Sequence, residues 1–543
     1  MQIVDHPAFQ ELVAEIRGST SDVPCRQTLT ASTLKQARSY REQIVQKLKE
    51  WNEPVTIAID GWTNVNHSKV SNMLLLARGK AFFWKSLVNA DDHNTAKWLS
   101  DHFTPLLNDL KAIGIKFAGI ALDNEATQNA FFDLLQDNFP FLLHVPCSAH
   151  IIQLVARSIL DHVTVRKHIA TMERCLQEIG SNKELRLSIR KAMKADNVNV
   201  VLMKPNATRW NSVRNAAQRF IRVKKYIAAE YIDDEAVSAP FWQTLEAAAV
   251  VLLLPFQSAT DDVQRDSATL MTFYNAFVTT KNSLRQIINA NGILKLAAEA
   301  GIAALDDKWQ QYVDDNLETC IRILLYGKNA IVDGSLVHRS QRWLFSWAHL
   351  YFTAMGIVFG SAENMVEDKK TVETHLKNEF GKLKTEDIEG DVGWRTWWLL
   401  SKERYPHLYP IAVVLLSLSP TEAAVERSFS KQGFIHSDRR NRSSDSLIEA
   451  QMMISFNHEN LFGGEPAPDP EETQVLLDIV DEEEETKMSV EPQPAVQTTV
   501  NQFFRSASMI AAEADDAALA EAMQEEELTS TSSRGRRVRQ RME

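Results

Sequence analysis

Three carboxylates in this 543-residue chain stand where hard-metal chemistry could be built. Asp60 follows the apolar run Val55-Thr-Ile-Ala-Ile59, and Asp123 follows the run from Ile115 to Leu122. Glu426 sits far downstream, in Ser419-Pro-Thr-Glu-Ala-Ala-Val-Glu426-Arg427. A carboxylate at a strand end projects from the sheet edge, where loops leave room for a ligand. Two such ends on neighbouring strands can share two divalent ions roughly 3.5–4 Å apart, and Mg2+ or Mn2+ prefers oxygen donors. Each acid also has a plain reading. Asp60-Gly61-Trp62-Thr63 and Asp123-Asn124-Glu125 both suit turns. Ser419-Pro420-Thr421-Glu422 suits a capping box with proline at the first helical position, which gives Glu422 a structural job and a helix running to Gly433. Glu426 lies one turn past that cap, among Ala423, Ala424, Val425 and Phe429, so it needs a partner: a metal, or an arginine in a salt bridge.

The elements that must position these acids follow from periodicity. Val55–Ile59 predicts a strand ending at Asp60, and two more strands follow around 70–78 and 81–88, joined by a Gly79-Lys80 turn. Thr95, Trp98, Leu99, Phe103, Leu106, Leu107 and Leu110 recur at helical spacing. A buried strand to Leu122, a helix to about Gln136, a strand over 141–145 and a helix from about Ser148 complete the order β-β-β-α-β-α-β-α. Three hairpin-type strands followed by helix-linked parallel strands is the order of an RNase H-like domain. Residues 213–395 are mostly helical in pattern, with Trp242, Leu252, Leu253, Leu254, Trp343, Leu344, Trp347, Tyr351 and Phe352 as apolar clusters. They predict a packed helical domain, either separate or inserted into the first.

With those elements in place, several short motifs resemble the hAT superfamily of DNA transposases. Asp60-Gly-Trp62-Thr63 resembles its first acidic motif, and Ala121-Leu-Asp123-Asn124 is similar to its second. Pro146-Cys147-Ser-Ala-His150 resembles the C-x-x-H motif, and Thr208-Arg209-Trp210-Asn-Ser212 the Arg-Trp motif. The segment 419–430 with Arg439, Arg440, Asn441 and Arg442 resembles the C-terminal dimerisation segment, whose Glu-Arg pair supplies the third ligand. The match spans roughly residues 50–215 and 390–460.

What the resemblance implies is an α/β RNase H-like core interrupted by a large all-α insertion domain. The expected division is an N-terminal helical segment (1–52), the first part of the core (53–212), the insertion (213–393), a dimerisation region completing the core (394–462) and a disordered acidic tail (463–543). It implies a dimeric, nuclear enzyme that cleaves and joins DNA, with Asp60, Asp123 and Glu426 holding Mg2+ or Mn2+. Trp62, Arg209, Trp210, Cys147, His150 and Arg427 are the expected DNA-side residues, with Trp210 stacking on an extruded base. By default Trp210 is a core aromatic. Cys147 and His150, three apart at a helix start, share a face; with His144 they suggest zinc, but no fourth ligand is spaced nearby. The family's N-terminal zinc finger is missing, because Cys25 is the single cysteine before position 147. A truncated copy, or a domesticated protein acting by dimerisation and DNA binding without catalysis, therefore stands as the alternative.

Composition narrows the setting. Four cysteines without C-x-x-C spacing make no disulfide framework, which fits a reducing compartment. The N-terminus lacks an apolar signal segment, and the apolar run 247–256 contains Pro255 and is too short to span a bilayer, so a soluble protein without membrane contact is expected. Residues 463–543 hold 19 acidic and 7 basic side chains, so the whole net charge of −12 resides there and the body balances. That tail cannot bury enough apolar surface to fold alone. Within it, Gln497-Thr-Thr-Val500-Asn-Gln-Phe503-Phe504 fits the pattern of sliding-clamp (PCNA) binding peptides. One tight turn puts Val500, Phe503 and Phe504 on one side as an apolar plug, and Gln497 adds a polar anchor. Arg534 to Arg541 reads as a nuclear-import or nucleic-acid contact, or as a solvated end.

Overall fold

A computed structural model describes residues 25–89, 94–206, 210–326, 334–356, 369–383, 393–437 and 442–463. Five strands, β1 (Val55–Thr63), β2 (Lys69–Ala77), β3 (Lys80–Asn89), β4 (Phe117–Leu122) and β5 (Leu143–Pro146), form one sheet in the order β3-β2-β1-β4-β5. The first three pair antiparallel, while β4 pairs parallel with both β1 and β5. Helix α1 (Arg26–Trp51) precedes the sheet. Helices α2 (Ala96–Ala112) and α3 (Ala126–Gln136) make the crossovers, and α4 (Ser148–Leu160) leaves β5. The sheet is therefore mixed, with the element order that the periodicity predicts.

Local chemistry accounts for the details. All six residues of β4 are buried, as a central parallel strand covered on both faces requires. The β2–β3 turn falls one residue earlier than expected: Ala77 pairs with Lys80, and Arg78 (φ 50°) and Gly79 (φ 71°) form the two-residue loop. Positive φ at both central positions matches the twist of the flanking strands. Thr95 caps α2 by accepting from the Trp98 N–H.

Beyond α4 the chain is helical among the described residues. Helices α5 (Val163–Ser181), α6 (Lys183–Ala195), α7 (Trp210–Arg222), α8 (Lys224–Glu230), α9 (Ala239–Glu246), α10 (Leu254–Val263), α11 (Leu270–Asn289) and α12 (Lys295–Tyr312) come first. They are followed by α13 (Asp315–Tyr326), α14 (Gly334–Met355), α15 (Lys369–Lys382), α16 (Gly393–Leu400), α17 (Leu408–Ser417), α18 (Ala423–Ile435) and α19 (Asp445–Phe462). Two cores result. One gathers α4 to α12 around Val155, Ile159, Met172, Phe220, Trp242 and Phe256. The other joins the sheet to later helices through Leu324, Leu344, Trp398, Leu415, Val425 and Met452. The helical stretch is thus not one mass: Trp347 of α14 donates its indole N–H to the Phe141 carbonyl at 2.8 Å, tying it to the sheet. The stretch Ala239–Val263 is, by length and composition, long and apolar enough to cross a membrane, longer than the run picked out in the sequence. Its Phe241, Trp242, Leu245, Leu252 and Phe256 are buried in the helical core.

Helix α19 covers the outer strand. The Asn457 amide donates to the Phe83 carbonyl (2.9 Å) and accepts from the Phe83 N–H (2.8 Å), so a side chain satisfies what a further strand would. On the opposite flank of β1, Gly119 of β4 lets the segment before α18 approach closely. A Cβ there would lie 2.6 Å from Leu418 Cδ2 and 2.9 Å from Val145 Cγ2. Gly119→Ala is expected to cost about 1–3 kcal/mol by overpacking, measured as a lower midpoint in urea unfolding; an unchanged midpoint would show that this segment yields freely.

Candidate functional site

Alternation along β1 puts Thr56, Ala58, Asp60 and Trp62 on one face. That face carries the segment leading into α18. Thr56 Oγ1 accepts from the Ser419 N–H at 3.0 Å. Asp60 lies opposite Asn72 on β2, and Asn72 opposite Ser86 on β3, giving a polar row across three strands. The row is clamped to α18. Asn72 Nδ2 donates to Ser428 Oγ (2.8 Å) and to Gln432 Oε1 (2.9 Å), and Gln432 Nε2 donates to Ser86 Oγ (3.2 Å). These groups are buried, where such bonds hold one register, although Asn72 Oδ1 itself has no partner. Ser428 and Gln432 are one turn apart on the helix face turned to the sheet.

The parallel register pairs Ala58 with Ala121, so two residues further Asp60 stands level with Asp123. Each aspartate turns one oxygen to a local amide: Asp60 Oδ1 accepts from Gly61 (2.6 Å), Asp123 Oδ1 from Glu125 (3.1 Å). The level placement is present, but the turn reading holds only for Asp123, which follows β4 at a bend; β1 does not end at Asp60 and runs on through Gly61 and Trp62 to Thr63. From the other side, Cys147 N donates to the Leu122 carbonyl (3.1 Å), and Ser148 donates through its N–H (2.9 Å) and hydroxyl (2.6 Å) to the Pro420 carbonyl. These bonds bring the segment 420–422 to the ends of β4 and β5.

The capping-box reading is overturned here. Helix α18 begins at Ala423, Pro420 lies outside it with its carbonyl bonded to Ser148, and Glu422 makes no side-chain cap. Thr421 Oγ1 accepts from the Ala423 N–H instead (3.1 Å). Nor does Gly433 end the helix, which continues to Ile435. Gly433 faces the Trp62 ring, 3.7 Å from where a Cβ would stand. The burial of the two glutamates is also reversed. Glu426 is exposed in the first turn of α18, whereas Glu422 is only 4% exposed.

The electrostatics group five acids. Burial pushes the Asp60 carboxyl up to about 7, reinforced by the charges of Asp123, Glu426 and Glu125 and opposed by the Gly61 N–H. Asp123 is raised by burial and by Glu125, with His150 acting the other way. Glu422 is raised well above the carboxylate range by burial first, then by Asp60, Asp123 and Glu426. Burial and the neighbouring Glu422 likewise push the Cys147 thiol up. Like charges crowded in a partly buried place favour protons or a cation. Among the described residues no three His, Cys, Asp or Glu side chains already meet as a ready metal site. The donor set still fits a hard divalent ion: the candidates are carboxylates, and Glu422 Oε1 is enclosed without a hydrogen-bond partner.

The other expected residues divide. Trp62 is half-buried and stacks on Phe429 of α18 (centroids 5.8 Å apart), so it holds that helix to the sheet. Trp210 is 2% exposed and packs edge-on against Phe256, which makes it a core aromatic with no ring face open to a base. Arg427 forms an ion pair with Asp266. Cys147 and His150 lie at the start of α4 beside Asp123 and Glu422, whereas His144 packs on Phe132 (4.9 Å) and lines a small cavity with Phe273 and Trp309. The three proposed zinc residues are thus not gathered. Arg209, Gln497, Val500, Phe503 and Phe504 lie outside the described residues, as do Arg439, Arg440 and Asn441. The sequence reading missed Glu422, Asn72, Ser428 and Gln432 as site residues. The available signal was a polar Ser71-Asn72 break inside an otherwise apolar strand.

Two protein families match the chain. A domain of unknown function (DUF659) matches residues 24–178, and the hAT family C-terminal dimerisation region matches residues 377–458. No curated protein matches. The first region carries Asp60, Asp123, Cys147 and His150; the second carries Glu422 and Glu426, and the fold brings the two together. The chain is thus similar to hAT transposases over its C-terminal dimerisation region, and the two matches together support a transposase-like protein.

Proposed function

We propose that this protein is a DNA transposase that cleaves and joins strands at a divalent-metal site of an RNase H-like core. The observation that carries the reading is geometric: Thr56, Asn72 and Ser148 of the first matched region hydrogen-bond Ser419, Pro420, Ser428 and Gln432 of the second, which sets Glu426 on the helix held against the strand of Asp60. Asp60, inside β1, and Asp123, just past the end of β4, hold oxygens on neighbouring strands, and Glu426 adds a third from an exposed helical turn. A bound pair of Mg2+ or Mn2+ ions would supply polarisation of the attacking water or 3′-hydroxyl and charge for the leaving oxygen. The polar clamp of Asn72, Ser428, Gln432 and Ser86 keeps the glutamate helix in register with Asp60. His150, beside Asp123, is placed to meet a phosphate or to stabilise that carboxylate.

The direct test is incubation of the full-length protein with nicked or branched duplex DNA and Mn2+. Metal-dependent strand cleavage is the expected result. A folded protein that binds DNA and never cuts it would favour the second reading, a domesticated protein acting by dimerisation and DNA binding. The aspartates' hydrogen bonds to local amides and the absence of a ready metal geometry among the described residues favour that alternative.

Self-association is supported by the dimerisation region itself. Within it Leu399 and Leu400, at the end of α16, are 54% and 76% exposed. We assign them to the contact with a second copy, since adjacent exposed leucines in such a region ask for cover. Leu400→Asp is expected to weaken dimerisation at least about tenfold without unfolding the monomer, read by sedimentation; an unchanged dimer would remove α16 from the interface. Nuclear localisation and a PCNA contact through Gln497, Val500, Phe503 and Phe504 belong to the same proposal and rest on the sequence alone.

A further inference from the structure

Glu422 is placed unlike an ordinary N-terminal helix residue. The chain before it is pinned twice: the Ser419 N–H bonds Thr56 near the start of β1, and the Pro420 carbonyl bonds Ser148 just beyond β5, the strand beside the one that leads to Asp123. The chain after it enters α18, with the Glu426 N–H bonded to the Glu422 carbonyl at 3.0 Å. The side chain is therefore directed inward, 4% exposed, beside the Cys147 thiol at the start of α4. Its Oε1 has no hydrogen-bond partner. Enclosing a carboxylate oxygen without a donor is unfavourable, and three further carboxylates nearby make it more so.

We propose that Glu422 is a fourth carboxylate of the metal site, its free oxygen serving as an inner ligand to a divalent cation shared with Asp60 and Asp123. This rests on the metal reading above and extends it to a residue outside the expected triad. A cation would supply the positive charge that the protein surroundings of Oε1 lack. Asp60, Asp123 and Glu426 face Glu422 from β1, β4 and α18, Cys147 adjoins it from α4, and His150 stands beyond Asp123. Glutamine is close in shape to glutamate but brings an N–H2 and no charge. Replacement should remove a ligand while keeping the packing.

The test is thermal unfolding of the full-length protein during Mn2+ titration, comparing wild type, Glu422→Gln, Glu422→Asp and Asp60→Asn. Wild type should melt higher as Mn2+ is added. Glu422→Gln should need at least about tenfold more Mn2+ for half of the shift. Glu422→Asp, which keeps the charge on a shorter arm, should fall between. A Glu422→Gln protein that responds to Mn2+ at the wild-type midpoint would overturn the proposal and leave Glu422 as a partner of Cys147. If Glu422→Gln does not fold, a wild-type midpoint for Glu422→Asp overturns it equally. Loss of the shift in Asp60→Asn with retention in Glu422→Gln would sink only the role of Glu422. No shift in wild type would sink the metal site with it.

Discussion

Asp60→Asn and Glu426→Gln are each expected to lower Mn2+-supported strand cleavage at least about a thousandfold, which corresponds to about 4 kcal/mol of barrier. An amide keeps the shape of the carboxylate and forfeits the charge that binds a hard cation. The two variants should differ in stability. Asp60 is crowded by Asp123 and Glu426, and its carboxyl is pushed up to about 7, so neutralising it relieves repulsion at pH 8 and should leave unfolding unchanged or slightly harder. Glu426 is exposed, and its replacement should be neutral. Arg427→Ala is the informative neighbour. Its partner Asp266 makes a partly exposed ion pair worth little to folding, so a large activity loss there would point to DNA contact. Cleavage retained by Asp60→Asn, in protein that still dimerises, would end the two-aspartate mechanism.

Much of the sheet was legible because its period is short and its burial complete. The run 117–122 reads as a strand since every residue is apolar, and β4 buries every one of them. The placement of Asp60 and Asp123 was legible for the same reason, as both follow apolar runs whose ends lie level in a parallel register. The turn slipped by one residue because Arg78 takes positive φ, a conformation that side-chain type does not advertise.

The glutamates were harder, and the reason is tertiary. Ser-Pro-Thr-Glu is a sound local cap signal, but the Pro420 carbonyl is claimed by Ser148 from 272 residues away, and the helix starts later. Nothing local distinguishes Glu422 from Glu426, one turn apart. Their burial is decided by Cys147 and the strand ends, which only folding brings near. Trp210 shows the converse. Its default reading as a core aromatic holds in the fold, where it packs on Phe256, and the motif-derived stacking role finds no exposed ring. Asn72 could have been singled out, since a buried amide in the middle of a strand must have partners. Its partners lie some 360 residues later, on α18.

The second large effect expected is acid sensitivity centred on His144. The ring packs on Phe132, lines a small cavity with Phe273 and Trp309 that Asp314, Glu318 and Arg322 also border, and leaves Nε2 without a partner. Burial holds its pKa down at about 4, against a small opposing pull from Asp133, while the unfolded chain titrates near 6.5. Between those values the unfolded state binds the extra proton, so unfolding free energy rises with pH. The stabilising contribution is complete above about pH 6.5 and disappears as pH falls through 4, roughly 3 kcal/mol in all. His144→Leu removes the titrating group, keeps the apolar packing and should flatten that part of the profile. Urea unfolding of both proteins at pH 7 and pH 4 reads the difference directly. If both lose the same stability on acidification, the ring is protonated in the native protein, and the buried packing described for it is wrong. A ring neutral at pH 7 keeps positive charge away from β5, and the coupled acids at the strand ends then draw their balancing charge from other groups or from a cation.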